Sequence, residues 1–256
     1  MTEFDPGPPP DLAQHFDRVP EPPVAEDFWR DWGPVFYRGR VDGSARLVCV
    51  ASDPGPTERI AGRTLVGNAG QRVQGLLAKL GLTRAYLCVN AWAYALHPGS
   101  AHAELEHLAD EDQLGWRNAL YDAVTGPDVE AVIAFGQMAQ AAVALWPGRP
   151  DVPLVQIPHP SSRDETVLLD TWRAAVDELR AVVTPDPDGD ATIPNYGTTF
   201  EEADHAPIPR RDLPFGAPVF LGDDAWARAA GSRNSVQRPS PDDFHTLVWH
   251  APPATG

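Results

Sequence analysis

The chain has 256 residues, 43% of them hydrophobic, which is enough for one sizeable domain with its own core and an appendage. Its 20 basic and 36 acidic residues give a formal net charge of −16. This balance argues against broad, sequence-independent binding to nucleic acid, because such binding uses Lys and Arg to neutralise phosphates, although it leaves room for a local basic patch.

The sequence predicts a cytoplasmic protein without a membrane span. No apolar run approaches the length of a transmembrane helix, and the first residues lack the basic and apolar pattern of a signal peptide. Cys49 and Cys88 lie inside apolar runs and are expected to be buried free thiols, as in a reducing compartment. Two cysteines are too few for the four thiolates of an iron–sulfur cluster, and we expect neither a cofactor nor a metal site.

Predicted elements alternate along the chain. Residues 1–25 are rich in Pro and Asp and are expected to be irregular, whereas the aromatic residues of 26–41 favour a short helix and turn packed on the core. Beyond them, apolar runs predict buried strands and residues at helical spacing predict helices. The predicted strands are 46–51, 85–90, 129–135 and 153–157, and the predicted helices are 70–80, 111–125, 137–145 and 166–183.

This alternation predicts an α/β domain over residues 26–183. Strands that are apolar on both faces indicate a four-stranded parallel sheet between two layers of helices, a three-layer αβα sandwich. In such sheets ligands bind at the carboxyl ends of the strands. Asp53, Asn90, Gly136 and His159 each stand at or just past the end of a predicted strand, so they are expected at one edge.

Residues 184–256 differ in composition, because they are Pro-rich and acidic with scattered aromatic residues. The aromatic residues favour an extended arm that wraps the core, and a flexible tail is the alternative. An acidic arm of this kind is also a candidate to fold over this edge of the sheet.

Asp53 and His159 are the candidate catalytic residues. Each has a simpler interpretation, Asp53 as a turn former before Pro-Gly and His159 as a structural residue between two prolines. Together on one sheet edge they suit hydrolysis of an N-glycosidic bond, in which a carboxylate positions water and an imidazole stabilises the departing base. The amide of Asn90 can pair with a pyrimidine edge, and the backbone N–H groups of 67–70 can hold a phosphate.

Five short segments between residues 53 and 162 carry the candidate site residues named so far. They are Asp53-Pro54-Gly55, Gly62-Arg63-Thr64-Leu65-Val66-Gly67-Asn68-Ala69-Gly70, Val89-Asn90, Ala134-Phe135-Gly136 and His159-Pro160-Ser161-Ser162. In this order they resemble motifs of the uracil-DNA glycosylase superfamily, in particular a bacterial and archaeal-like branch without its iron–sulfur cysteines. The second segment is similar to the family's Gly-Arg-Pro-Phe-Val-Gly-x-Ala-Gly. The resemblance covers roughly residues 45–183 and implies base flipping without a metal in the reaction.

The resemblance implies a role for each matching residue. Asp53 would activate water, His159 would stabilise the departing base and Asn90 would pair with its edge. Ser52 stands where the iron–sulfur branch has its acid, and it would lie beside the base with Gly55 and Leu65. Residues expected at the DNA backbone or in its minor groove are Gly67, Asn68, Gly70, Ser161, Ser162 and Arg163.

Two departures from the family pattern concern the base pocket. Gly55 replaces a Tyr that blocks bulky C5 substituents in one branch, and Leu65 replaces a Phe that stacks on uracil. Both changes enlarge the expected pocket, which favours a 5-substituted pyrimidine as the substrate. Alternatively, Trp92 or Tyr94 supplies the missing stacking.

The function predicted from the resemblance is that of a monomeric DNA glycosylase, for repair or for defence against modified DNA. Basic residues near the two loops form a candidate phosphate track, with ordinary solvated surface as the alternative. Two other functions stay open, a hydrolase of free nucleosides or nucleotides and a non-catalytic relative that binds nucleic acid or protein. The candidate basic residues are Arg59, Arg63, Arg72, Lys79 and Arg163.

Overall fold

The computed structural model describes residues 4–31, 33–162, 164–217, 221, 236–237 and 248–249. Within these residues the protein is a mixed α/β fold, and no helix is long and apolar enough to cross a membrane. The α-helices are α1 (Pro10–Phe16), α2 (Pro56–Ala61), α3 (Asn68–Lys79), α4 (Ala101–His107), α5 (Glu111–Val124), α6 (Gly136–Ala144) and α7 (Glu165–Arg180). The strands are β1 (Phe28–Trp29), β2 (Tyr37–Gly39), β3 (Leu47–Ala51), β4 (Tyr86–Asn90), β5 (Ala95–Leu96), β6 (Ala131–Phe135), β7 (Leu154–Ile157), β8 (Val236–Gln237) and β9 (Val248–Trp249).

The central sheet has five strands in the order β2-β4-β3-β6-β7. Strands β4, β3, β6 and β7 run parallel to one another, whereas β2 pairs antiparallel with β4 at the edge. The four strands expected from the sequence form the parallel part of this sheet, but the expected four-stranded parallel sheet is not confirmed, because β2 adds a fifth, antiparallel strand. Strand β2 was not predicted from the sequence, because the strand is only three residues long. Arg38 between Tyr37 and Gly39 also interrupts the apolar run that would indicate a buried strand.

Both faces of the sheet are covered by buried side chains, which explains why the strands read as continuous apolar runs. Every residue of β3 is buried, and alternate residues enter two different hydrophobic clusters. Leu47, Cys49 and Ala51 pack with residues of α3 and α7 on one face. Val48 and Val50 pack with residues of α1, α5 and α6 on the other face.

Helix α1 contradicts the expectation that residues 1–25 are irregular. Pro9 and Pro10 stand at the start of this helix, where a missing backbone N–H costs nothing and the fixed φ favours the first turn. Its Leu12 and Phe16 are buried, and the ring of Phe16 stacks on Phe36 with centroids 4.1 Å apart. Residues 26–41 likewise form short strands and a 3-10 turn at Ala25–Asp27 in place of the expected helix.

Residues 184–217 form an arm that lies against the domain. Carboxylates hold it at separate points: Asp186 accepts hydrogen bonds from the backbone N–H groups of residues 83–85 and pairs with Arg46, and Asp204 pairs with Lys79 at 2.9 Å. Much of the acidity of the arm is thus neutralised inside the fold. Only residues 221, 236–237 and 248–249 of the remaining extension are described.

The third anchor of the arm is an ion pair with the fully buried guanidinium of Arg38. Arg38 donates hydrogen bonds to Asp212 at 3.0 Å and to Gln74 of α3 at 2.7 Å. It also donates to the carbonyl oxygen of Thr64 at 3.0 Å and contacts the Cys88 thiol at 3.4 Å. This single side chain therefore joins the edge strand, the sheet, α3, the arm and the loop that precedes α3.

Substitution of Gly75 by Ala tests the docking of the arm. Gly75 lies inside α3, and a Cβ atom there would overlap the carbonyl oxygen of Asp204. We expect Gly75→Ala to lower the free energy of unfolding by about 1–3 kcal/mol, the usual cost of overpacking. The measurement is urea denaturation of the full chain.

Gly115→Ala is the matched control. Gly115 also lies inside a helix, but no heavy atom stands within 4 Å of its Cβ position. Ala at this position is expected to raise stability by about 0.5–1 kcal/mol, because Gly is a poor helix former. Equal effects of the two substitutions would contradict a close contact between the arm and α3.

Candidate active site

The candidate site lies where parallel strands end. Ala51 at the end of β3 pairs with Asn90 at the end of β4, and Phe135 at the end of β6 pairs with Ile157 at the end of β7. The loops that follow these strands therefore begin at one edge of the sheet. A cavity of about 290 Å³ opens there, and both Asp53 and His159 line it.

Half of the residues predicted for the base and the backbone line the same cavity, and the other half are not in its described lining. Ser52, Asn90 and Gly70 lie outside its lining, Ser162 lines a neighbouring cavity, and Arg163 lies outside the described residues. Residues in the lining that the sequence did not single out are Pro56, Thr57, Glu58 and Ala69. The predicted residues in the lining are Asp53, Gly55, Leu65, Gly67, Asn68, His159 and Ser161.

The Asp53 carboxyl group is held in an environment that favours its neutral form. Its Oδ2 atom accepts a hydrogen bond from the backbone N–H of Leu96 at 3.0 Å, which orients the group. Burial raises the pKa of Asp53 to about 7, and the negative charge of Glu58 adds to this effect against the opposing influence of Leu96 and Arg59. A carboxyl group with this pKa can exchange a proton near neutral pH.

His159 presents a neutral imidazole to the cavity. Its Nδ1 atom accepts a hydrogen bond from the backbone N–H of Ser161 at 3.1 Å, so the proton of the neutral ring is on Nε2. Burial lowers the pKa of His159, which keeps the ring uncharged at neutral pH. A Cβ atom at Gly136, whose φ is +82°, would stand 3.1 Å from the Cβ of His159, so a larger residue there would be strained and would crowd the imidazole. The Nε2–H group can therefore donate a hydrogen bond to a departing base.

Asn90 has an unsatisfied side chain. The residue is 6% exposed, and neither polar atom of its amide has a hydrogen-bond partner among the described residues. Alternation along β4 places Asn90 on the same face as Tyr86 and Cys88, the face that carries α3 and the cluster containing Leu65. Because a buried amide without partners is costly, this group is suited to bind a polar edge.

Glu58 is the main residue that the sequence analysis missed. Its Oε1 atom accepts hydrogen bonds from the backbone N–H groups of Val66 at 2.8 Å and Gly67 at 2.7 Å. The N–H of Gly67 is thus not free to hold a phosphate, and Glu58 places a negative charge where the phosphate was expected. Pro56 followed by an acid within the next two residues is a typical helix start, and this signal could have located α2 and its carboxylate.

Leu65 has the left-handed backbone conformation, with φ of +54°. Such a conformation costs about 1–3 kcal/mol in a residue other than Gly. A Cβ atom at Gly70 would overlap the carbonyl oxygen of Leu65, so this glycine makes room for the turn rather than for DNA. Leu65 reaches both the hydrophobic cluster and the cavity. Trp92 and Tyr94 pack in a different cluster, so neither supplies an aromatic ring to the described lining of the cavity.

Four basic side chains of the candidate phosphate track make contacts within the protein. Arg59 is buried with its guanidinium 5.3 Å from the Trp29 ring, and Arg63 pairs with Asp5 at 2.6 Å. Arg72 donates a hydrogen bond to the carbonyl oxygen of Pro160 at 2.9 Å. Lys79 is buried against Asp204, as described for the arm. These four cations therefore stabilise the fold.

The surroundings of the cavity bear on the expectation that the acidic arm folds over the site. No residue from 184–217 lines it, so the described part of the arm does not cover the site. Among the described residues there is no group of three or more His, Cys, Asp or Glu that could hold a metal ion. A second, more open cavity of about 450 Å³ adjoins the first and shares His159 and Ser161 with it.

Replacement of Glu58 by Gln tests the electrostatic coupling of the two carboxyl groups. Gln keeps an oxygen that can accept the N–H groups of Val66 and Gly67 but removes the charge. We expect the pKa of Asp53 to fall from about 7 toward its ordinary value, measured by carbon-13 NMR titration. The exposed Glu178, at the far end of α7, is the control, and its change to Gln should leave Asp53 unaffected. An unchanged titration of Asp53 in Glu58→Gln would contradict the coupling.

Comparisons with known proteins add no relative to these observations. No model of a known protein family matches the chain, and no curated protein matches it significantly.

Proposed function

We propose that this chain is a DNA glycosylase that hydrolyses the N-glycosidic bond of a pyrimidine nucleotide flipped out of DNA. One observation carries the proposal: Asp53 and His159, about a hundred residues apart in the sequence, line the same cavity. The volume of about 290 Å³ is just below the range of about 300–1,000 Å³ for small-molecule pockets. A three-layer arrangement like that of the uracil-DNA glycosylase superfamily, a monomeric state and a cytoplasmic location remain predictions.

In the proposed reaction, water attacks C1′ of the sugar as the C1′–N bond breaks and its electron pair leaves with the base. The ionised Asp53 accepts the proton of the water and stabilises the positive charge that develops on the sugar. The Nε2–H of His159 donates a hydrogen bond to the base oxygen on which negative charge develops. Asn90 does not line the cavity, but its unpartnered amide stands at the same sheet edge and offers a donor and an acceptor to a base that reaches past the lining.

A second candidate function is hydrolysis of free nucleosides or nucleotides. It is favoured by the internal contacts of Arg59, Arg63, Arg72 and Lys79, which leave these side chains engaged by the protein. The carboxylate of Glu58 in α2 lies against the N–H groups of Val66 and Gly67, just before α3. Its negative charge also favours a substrate that brings little phosphate to the start of α3. The two functions share the chemistry of Asp53 and His159 and differ in what surrounds the base.

A panel of substrates decides between these functions. The substrates are single- and double-stranded oligonucleotides that carry uracil, thymine, 5-hydroxymethyl or glucosylated pyrimidines, together with the free nucleosides, and released bases are identified by mass spectrometry. Release from oligonucleotides supports the DNA glycosylase, and release from nucleosides alone supports the second candidate. Absence of release from every substrate would contradict both.

Asp53→Asn is expected to lower the rate of base release by about 100- to 10,000-fold, the usual contribution of a general base, with binding retained. Because the ionised carboxylate is the active form, kcat/KM of the unaltered protein should rise with pH and level off above about 7. Burial lowers the pKa of His159, so its titration is displaced toward acid from that of Asp53. A rate that is independent of pH between about 5 and 8 would contradict the role of Asp53.

Leu65→Phe tests whether this position selects the base. A phenyl ring that stacks on the base is worth about 1–3 kcal/mol, so kcat/KM for uracil should rise by about 5- to 150-fold. Activity on pyrimidines with large C5 substituents should fall, because the ring fills the cavity. Leu65→Met, which adds no ring, is the control and should preserve the substrate preference. Loss of uracil release in Leu65→Phe would contradict the idea that Leu65 occupies the place of the family's uracil-stacking Phe.

A further inference from the structure

The main chain around His159 is held from both sides. His159 stands between Pro158 and Pro160, and the carbonyl oxygen of each proline accepts a side-chain hydrogen bond. Arg72 of α3 donates to Pro160 at 2.9 Å, and Trp172 of α7 donates from Nε1 to Pro158 at 3.4 Å. Because prolines fix their own φ, these bonds determine where the short segment presents its imidazole.

The two donor side chains, Arg72 and Trp172, each contact an aromatic ring of the arm. The guanidinium of Arg72 lies 4.3 Å from the centroid of the Phe200 ring, and the Trp172 ring meets Tyr196 edge to face, with centroids 5.8 Å apart. Tyr196 and Phe200 also stack on each other, with centroids 5.8 Å apart. One aromatic pair of the arm therefore supports the two side chains that hold the main chain on either side of His159.

Arg72 depends on this support. Its Nε atom is buried without a hydrogen-bond partner among the described residues, and burial lowers its pKa. The face of the Phe200 ring offers partial negative charge to the guanidinium and excludes water from it. The backbone N–H of Phe200 donates to Glu165 at 3.2 Å, at the start of α7, which fixes the ring relative to both helices.

We propose that Tyr196 and Phe200 of the arm are positioning residues that aim His159 at the departing base. This inference rests on the proposed function, because it assigns to the arm a part in the same reaction. The arm would thus contribute to turnover without touching the substrate, and the described residues of 184–217 do not line the cavity. Misplacement of a catalytic group by about 1 Å can cost about 100-fold in rate.

The test compares three changes in the full chain. Phe200→Ala removes the support of Arg72, and Phe200→Tyr keeps an aromatic face. Phe215→Ala is the matched control, because Phe215 is also an aromatic residue of the arm but is 85% exposed and contacts only Phe4 among the described rings. We expect Phe200→Ala to lower kcat by about 10- to 100-fold with KM changed less than about 3-fold. Phe200→Tyr and Phe215→Ala should keep the kcat of the unaltered protein.

A double-variant cycle separates positioning from loss of folding. Arg72→Met leaves the arm in place but removes the hydrogen bond to Pro160. If Phe200 acts through Arg72, the double variant with Phe200→Ala should be no slower than the slower single variant. Multiplicative losses, or a Phe200→Ala rate equal to that of Phe215→Ala, would overturn the inference. Thermal denaturation establishes that each variant is folded at the assay temperature.

Nitrogen-15 NMR of the His159 ring gives a readout that needs no substrate. In Phe200→Ala we expect loss of the Nε2–H tautomer preference and a rise of the His159 pKa toward its ordinary value, because the loop opens to water. Unchanged His159 signals would overturn the inference. If the unaltered protein releases no base from any substrate, the proposed function fails, whereas the NMR result still decides whether the arm positions His159.

Discussion

The buried guanidinium of Arg38 is the interaction on which the arrangement of the whole molecule depends. Its partners come from distant parts of the chain: Thr64 before α3, Gln74 within it, Cys88 in the sheet and Asp212 in the arm. A buried charge that loses one partner costs about 3–5 kcal/mol, so these segments are held together or released together. The loop that carries Leu65, to which the Glu58 carboxylate of α2 is hydrogen-bonded, is therefore positioned by the same guanidinium that holds the arm. The site and the arm form one structural unit for this reason.

The strands, the helices and the loops at the strand ends could be predicted from short stretches of sequence. Four apolar runs became β3, β4, β6 and β7, and the loops after β3 and β7 brought Asp53 and His159 to one cavity, as the rule for strand ends predicts. Helices α3, α5, α6 and α7 lie at or near the predicted ranges because their apolar residues recur at helical spacing. In each case the information lies within a window of about ten to twenty residues.

What the sequence did not predict depends on distant contacts. Strand β2 exists because β4 offers it an edge and because Arg38 finds partners up to residue 212. The basic residues near the site looked available for phosphate, since nothing local shows that Arg63 pairs with Asp5 or that Lys79 pairs with Asp204. The positions of the arm against α3 and of Glu58 against two backbone N–H groups are tertiary facts of the same kind.

Internal use of the cations has a consequence for how the protein would respond to ionic strength. Affinity for a polyanion normally falls steeply with added salt, because each Lys or Arg that meets a phosphate releases a condensed counterion. Among the described candidates, Arg59, Arg63, Arg72 and Lys79 are committed to contacts within the fold, so these four side chains contribute little counterion release. Substrate recognition would then depend on shape and on uncharged hydrogen bonds. Its affinity would persist at salt concentrations that dissociate proteins bound to DNA mainly by charge.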